Sequence, residues 1–366
     1  QHGEVGGVAA KTESTAGQHT GGLRARAVDD DRRRETEQPL LVTVAEHILA
    51  VLREAEGREV SSRAICGQMG ISRAAVWKQV EMLRAAGYRI DACSRRGYRL
   101  IRAPDTPHAP ELIPLLTTRR LGRDCRYVAE TGSTNRDVAA LAQGGAEEGL
   151  VMVAGGQTSG RGRMTRVWFS PPGVNLYFSV LLRPAVEPGR AASLPLVAGL
   201  AVADALAGLI PRLAVRIKWP NDILVGGKKL CGILCEMQAE TDCVRHIVLG
   251  VGMNVNLTGG QLGADLKGRA TSLRIEAGRT FSRVAVLAAV LNRFEPLYDR
   301  WRTEGLDPLL EAIGVYDALR GRDITLEQGG GKITGRADGI QADGALRLMT
   351  GQGAVSVYSG ETHIGK

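Results

Sequence analysis

Apolar residues recur along this chain with two periods, and the switches between them mark its organisation. From Leu40 onward, Val44, Ile48, Leu49, Val51 and Leu52 fall at helical spacing. Ser61-Ser62 offers a cap for a second helix over 63–69, which Gly70 breaks. Ser72 opens a third, running to about Ala86 and closed by Gly87. The pattern then alternates, predicting strands over 88–92 and 97–101 joined by the basic turn Cys93-Ser94-Arg95-Arg96. A Pro-rich stretch over 103–110 follows. Beyond it, strand patterns at 149–154, 176–182, 215–218, 230–237 and 246–255 are interspersed with helical patterns at 191–209 and 283–302. From about Asp317 short strands return, at 323–327, 332–338, 345–349 and 354–358, split by Gly-rich turns. The expected fold class is α+β and multidomain. Its parts are an arm over 1–39 without ordered structure, a winged helix-turn-helix over 40–103 and a linker over 104–110. A mixed-sheet α/β domain over 111–317 and a small β-barrel over 318–366 complete it.

The second and third helices have helix-turn-helix logic. Cys66 is small enough to let two helices approach, Gly70 takes the turn, and Val76 plugs the core, with Ile65, Ile71, Val80 and Leu83 beside it. Ser72, Arg73, Trp77, Lys78 and Gln79 are left on the outward face. Arg and Lys suit phosphates or guanine, and Gln suits adenine. Arg95 and Arg96 would lie on a wing against the DNA backbone. Charge agrees: between Leu40 and Ala103 there are 11 Lys and Arg against 6 Asp and Glu.

Composition changes the picture little. The whole chain of 366 residues carries a formal charge of +8, which alone decides nothing. Apolar runs are expected to fall short of the roughly 18 residues of a membrane span, and the first 39 residues lack the apolar core of a secretory signal. The six cysteines, Cys66, Cys93, Cys125, Cys231, Cys235 and Cys243, have irregular spacing and no Cys-x-x-Cys pair. Reduced thiols in a cytoplasmic protein are expected rather than disulfides or zinc.

Four segments carry candidate chemistry. Glu130-Thr131-Gly132-Ser133-Thr134-Asn135 strings hydroxyls and an amide at the start of a helix, suited to a neutral polar group such as a ureido ring or an amide. Read alone, it is also a good helix cap. Gly155 to Trp168 contains Gln157, Gly160, Arg161, Gly162, Arg163, Met164, Thr165 and Arg166, a flexible cationic loop able to close over an acyl phosphate. Lys218-Trp219-Pro220-Asn221-Asp222 turns at a strand end and suits a Mg²⁺-bound polyphosphate, with Asp222 the metal candidate. Gly227-Lys228-Lys229-Leu230-Cys231-Gly232-Ile233-Leu234 places Lys229 at the edge of an apolar strand and Gly232 where a ligand can approach.

Together these segments resemble those of the bifunctional biotin–protein ligases, also called biotin operon repressors, over residues 40 to about 358. The resemblance implies a central domain like that of class II synthetases and an SH3-like C-terminal barrel. It implies a two-step reaction. Biotin and ATP give biotinyl-adenylate, and biotin then passes to a lysine of a biotin carboxyl carrier protein. Ser133, Thr134, Asn135, Gln157, Gly160, Arg161, Gly162, Arg163, Lys229 and Gly232 would then hold biotin. Arg161, Arg163 and Lys229 would be catalytic, offsetting repulsion between carboxylate and polyphosphate together with Mg²⁺. Arg166, Trp168, Asn221 and Asp222 would serve ATP. Operator DNA would be the second partner, and the adenylate-bound form a homodimer free of membranes.

Two other functions fit parts of this pattern, a biotin-sensing repressor without ligase activity and a lipoate or octanoate ligase of the same fold. The chain departs from the family where a loop Gly is replaced by Thr165, a β-branched residue that resists the left-handed backbone a Gly would allow. No ATP contact is expected after Tyr358.

Overall fold

The computed structural model describes residues 43–93 and 96–364. The expected arm over 1–39 and the wing residue Arg95 lie outside them. The chain divides into two units between Arg102 and Ala103.

Among the described residues the first unit has three helices and a hairpin. Helix α1 (Val44–Glu54) starts at Thr43, whose hydroxyl accepts the Glu46 N–H while Glu46 bonds back to Thr43 N–H, a reciprocal cap. Ser61 caps α2 (Ser62–Met69), and Gly70 ends it at φ 65°. Ser72 caps α3 (Arg73–Ala85). Ile48, Leu49, Leu52, Ile65, Val76, Val80 and Leu83 meet in the interior. The strands β1 (Arg89–Cys93) and β2 (Gly97–Arg102) pair antiparallel, and Val60 bridges to Tyr98 alongside. This is the winged helix-turn-helix expected from the sequence.

The second unit is built on a seven-stranded mixed sheet. Its strands are β3 (Cys125–Thr131), β4 (Val151–Gln157), β5 (Leu176–Leu182), β6 (Val215–Lys218), β7 (Asp222–Val225), β8 (Lys228–Ala239) and β9 (Val244–Met253). They lie in the order β3-β4-β5-β9-β8-β7-β6, with β3 parallel to β4 and the remaining pairs antiparallel. β3 and β7 carry no strand signal in the sequence pattern. β3 is half-buried and mixed in polarity, and β7 hides in the turn motif around Asn221.

Helix α4 (Thr134–Gln143) packs against β4, β5 and β9. On the sheet's main core lie α5 (Leu194–Leu209), apolar on all sides, and α6 (Arg283–Glu304), which buries Phe294, Tyr298 and Trp301. The expectation about apolar runs is corrected here. Residues Pro188–Leu209 form a helical stretch with mean hydropathy 1.8, long and apolar enough to cross a membrane, but 67% of that window is buried inside the fold. Each fully buried Leu there contributes about 2 kcal/mol by removing its side chain from water.

After α7 (Leu310–Tyr316) come β10 (Asp323–Gln328), β11 (Gly331–Ile340), β12 (Leu346–Thr350), β13 (Gly353–Val357) and β14 (Glu361–Ile364), ordered β13-β12-β11-β10-β14 and all antiparallel. The sequence pattern marked four of these five strands and missed β14. This C-terminal sheet shares the core of the larger one. It is fastened to the β6–β7 turn by Trp219 Nε1–H donating to Gly344 O at 3.0 Å and Thr362 Oγ1 donating to Trp219 O at 3.3 Å.

Candidate functional site

In the first unit, the candidate DNA residues fall on the exposed start of α3. Arg73 and Lys78 are exposed, Trp77 is 58% exposed, and Gln79 is half-buried. A tryptophan so far from the core is available for contact. Ser72 is exposed, but its Oγ accepts the Ala75 N–H at 3.2 Å, so its first task is capping. Arg96 is exposed and lies 3.3 Å from Glu59.

In the second unit, the β3–α4 turn brings Ser133, Thr134 and Asn135 into the interior, each at most 5% exposed. Gln157, at the end of β4, accepts from both Thr134 N–H (3.0 Å) and Thr134 Oγ1 (3.2 Å) through Oε1. Its Nε2 donates to Ser170 Oγ at 3.1 Å. Ser179 Oγ lies 2.7 Å from Thr134 Oγ1 and 2.6 Å from Asn135 Oδ1, while Asn135 Nδ2 donates to Glu236 Oε2 at 2.8 Å. The result is a closed, buried polar network. Ser133 stands at the helix N-cap, yet its side chain makes no capping bond, in contrast to Ser61, Ser72, Ser272 and Ser282. Its hydroxyl is therefore not committed to the helix, which weakens the simple cap interpretation.

Ser179 and Glu236 were missed as site residues. Both had a signal: a lone hydroxyl inside Leu-Tyr-Phe-Ser-Val-Leu-Leu, and a lone charge inside Gly-Ile-Leu-Cys-Glu-Met.

The cationic loop leaves β4 and folds as a small hairpin. Arg161 bridges to Val167, and Gly162 N–H donates to Arg166 O at 2.7 Å. Arg166 N–H donates to Arg163 O at 3.2 Å, closing a turn whose central residues are Met164 (φ 54°) and Thr165 (φ 62°). Two successive positive φ values define the tight hairpin turn that Asn-Gly normally supplies. The sequence argument that Thr165 would resist this backbone is overruled. The loop adopts it and bears a strain on the order of 1–3 kcal/mol for each such residue.

Beyond the turn, Trp168 lies over the paired glycines Gly232 and Gly252. A Cβ on Gly232 would come within 2.9 Å of the indole, and one on Gly252 within 2.5 Å. No larger residue leaves the ring room to lie flat against the sheet. Trp168 Nε1 is buried without a partner. Gly160 is equally constrained, since a Cβ there would meet Ser170 Oγ at 2.6 Å.

Lys229 Nζ sits 2.7 Å from Asp222 Oδ1 and 5.4 Å from the centre of the Trp168 ring. Asn221 receives Arg163 Nη1 on Oδ1 at 3.2 Å and donates to Ile233 O at 2.7 Å. Burial loosens the hold of Arg163 on its proton, and Arg166 adds to that, while Asp222 opposes it.

Arg161 does not share this position: its guanidinium pairs with Glu236 at 2.9 Å, on the side of Asn135, so the expected trio of Arg161, Arg163 and Lys229 is divided. Arg166 donates to both carboxylate oxygens of Glu361 on β14. The C-terminal strand, for which no ATP contact was expected, thus holds the loop. Lys218, also unassigned from sequence, is half-buried; burial lowers its pKa, against the pull of Asp222 and Glu361. For Mg²⁺, the fit is that of one carboxylate, Asp222, beside cations that would meet phosphates. Mg²⁺ on a polyphosphate needs no more protein ligands than that. Among the described residues no group of three or more His, Cys, Asp or Glu could hold a metal by itself, and all six cysteines are free thiols.

A buried polar network beside clustered cations, next to a cationic hairpin, suits a ligase that activates an acid, and here the same chain carries a helix-turn-helix. Residues 127–254 match the biotin/lipoate A/B protein ligase family, 44–99 an HTH domain, and 320–362 the biotin protein ligase C-terminal domain. The chain is 37% identical over 331 residues to the bifunctional ligase/repressor BirA of Bacillus subtilis, covering 88% of this chain and 99% of that protein. Against BirA of Escherichia coli it is 31% identical, covering 87% and 96%. The structure of biotin protein ligase from Aquifex aeolicus in complex with biotin and ATP matches with a TM-score of 0.58 at 30% identity, covering 67% of this chain and 99% of that one. The chain belongs to the bifunctional biotin protein ligases, which are enzyme and repressor in one polypeptide.

Proposed function

We propose that the buried network of Ser133, Thr134, Asn135, Gln157 and Ser179 holds the ureido head of biotin, and that Arg163, Lys229 and Lys218 receive the phosphates of Mg²⁺-bound ATP. The observation that carries this is the neighbourhood of two unlike environments in one site. One offers neutral donors and acceptors in the interior. The other offers cations, with Lys229 held by the Asp222 carboxylate and Arg163 by the Asn221 amide. A biotin molecule has both needs, a neutral polar ring at one end and a carboxylate at the other.

In the first step a biotin carboxylate oxygen attacks the α-phosphorus of ATP, the bond to the β-phosphate oxygen breaks, and pyrophosphate leaves. Lys229 and Arg163 offset the repulsion between the two anions. Asp222 would hold Mg²⁺, which would supply further positive charge to the polyphosphate. Trp168 and Asn221 border the nucleotide, and the hairpin over 160–168 shields the mixed anhydride from water. In the second step the lysine amine of a biotin carboxyl carrier protein attacks the acyl carbon. The carbon–oxygen bond to the phosphate breaks, AMP leaves, and the new amide nitrogen loses a proton to solvent. Arg161, paired with Glu236, steadies the head end.

The helix α3, with Arg73, Trp77, Lys78 and Gln79, enters the major groove of operator DNA, and Arg95 and Arg96 contact its backbone. Adenylate-bound protein is a homodimer that spans two half-sites, and six free thiols suit a cytoplasmic setting. The neutral network speaks against lipoate or octanoate, whose ends offer nothing for these donors to bond. The test combines biotin, ATP, Mg²⁺ and a carrier domain, followed by streptavidin detection. Labelling of the carrier lysine is expected, and binding of biotin without labelling would leave a sensor in place of a ligase.

A further inference from the structure

The Pro-rich stretch does not behave as a free linker along its whole length. Asp105 accepts Arg283 N–H on Oδ1 at 2.7 Å and Arg283 Nε–H on Oδ2 at 3.0 Å, and its carbonyl accepts from Nη2. The Arg283 side chain is only 7% exposed. It opens α6, whose first peptide groups favour a carboxylate.

From Arg283 the bonding continues inward. Nη1 donates to Asn175 O at 3.5 Å. Asn175, fully buried, donates to Asn254 Oδ1 at 3.1 Å and accepts Val255 N–H at 3.0 Å. Asn254 donates to Thr271 O at 3.0 Å, and its own N–H goes to Leu230 O at 2.9 Å. Thr271 N–H then donates to the carbonyl of Lys229 at 2.9 Å. Asn256 adds a brace by exchanging two bonds with Phe281, just before α6. A buried line of hydrogen bonds therefore joins the backbone of Lys229 to Asp105. Buried amides are costly unless every polar atom is satisfied, so a shift at one end disturbs partners along the line.

The position of Asp105 gives the line a consequence. Arg102 ends β2, and Asp105 is held, so Ala103 and Pro104 alone bridge the two units. Such a tether reaches about 10 Å. With Asp105 released, the next hold is at Pro107, which is buried and accepts the Cys125 thiol on its carbonyl, and the reach grows to about 17 Å.

We infer that Asp105 and Arg283 are positioning residues through which occupancy of the Lys229 pocket sets the tether length of the DNA-binding unit, and with it the hold on DNA. This rests on the ligand-controlled repression proposed above.

The experiment uses the full chain and a duplex enriched by the wild type from a random-sequence pool. DNA affinity is measured with and without biotin plus ATP, and biotin KM and kcat for transfer are measured on the same preparations. The wild type is expected to gain about tenfold or more in DNA affinity from the ligands. Asp105→Ala loses both side-chain acceptors that clamp it to Arg283, keeps its carbonyl, and is expected to fold. In it the gain should fall to within about threefold of none, with KM and kcat little changed. Insertion of two glycines between Ala103 and Pro104 leaves the clamp intact and should lower the gain as well. A wild-type gain in Asp105→Ala, or in the insertion variant, overturns the inference. So does a loss of transfer kinetics in step with the gain, which marks a structural role. A wild type with no gain at all removes the ligand switch itself, and this inference with it.

Discussion

The two ends of the candidate site use polarity in opposite ways. At the head end, Thr134, Asn135 and Ser179 are buried and bonded mainly to one another and to Gln157. At the phosphate end, Lys229, Arg163 and Arg166 are partly exposed and held by Asp222, Asn221 and Glu361. On the proposed assignment a ligand head would meet an arrangement already in place, so recognition there would be a matter of fixed geometry. Phosphates would meet side chains whose partners must yield. The carboxylates keep the cations from repelling one another until a stronger anion arrives. The backbone follows the same division, regular beneath the head and strained at Met164 and Thr165 above the phosphates.

Removing charge at the phosphate end should have the largest effect. Lys229→Ala is expected to slow adenylate formation by on the order of 10²-fold or more while leaving biotin binding nearly unchanged, as read by pyrophosphate release and by calorimetry. Equal losses in binding and rate would erase the distinction between the ends. Ser179→Ala should act the other way, raising KM for biotin by roughly tenfold with kcat little altered, since it removes the hydroxyl that Thr134 Oγ1 and Asn135 Oδ1 share. A fall confined to kcat would place Ser179 with the chemistry instead.

The next effect is on the loop anchor and depends on pH. Hydrogen bonding to Arg166 is the main cause holding the Glu361 carboxyl below its ordinary value of 4.5. A depressed acid contributes its stabilisation above the ordinary value and loses it as pH falls through the folded one. The anchor should therefore be complete at neutral pH and fail only below 4.5. Glu361→Gln should lack it at every pH, giving severalfold faster protease cleavage within 160–168 at neutral pH. Cleavage equal to wild type would show that Arg166 does not hold the loop through β14. The smallest effect is expected from Thr165→Gly, which relieves one left-handed residue and should steady the hairpin by about 1 kcal/mol. Slower release of free adenylate would register it, and faster release would mean that the rigidity of Thr165 outweighs its strain.

Much of this was legible in the sequence because local signals coincided with the chemistry. The caps at Ser61 and Ser72, the break at Gly70 and the cationic loop each lie within a few residues of what they organise. The buried hydroxyls and amide of Ser133 to Asn135 stood out for the same reason. What could not be read depends on distance along the chain. Arg161 pairs with Glu236 instead of joining Arg163, because the hairpin turns one guanidinium toward each end of the site. Glu361 lies on a four-residue strand too short to show a period, and meets Arg166 across 195 positions. Thr165 was judged by its own preference, but the bridge of Arg161 to Val167 and the Arg166–Glu361 pair hold the turn around it.

The clamp of Asp105 on Arg283 has a consequence for the time at which the molecule is made. The two residues are 178 positions apart, whereas the first unit ends at Arg102. At roughly 5–20 residues per second of synthesis, the DNA-binding unit is complete about 10–35 s before Arg283 is even translated. Every nascent chain thus passes through an interval in which the operator-reading part exists with neither a ligand pocket nor a fixed tether. A lone module of this kind holds DNA weakly, so the delay costs the cell little. The interval would become a liability only if the first unit were made to bind DNA tightly by itself.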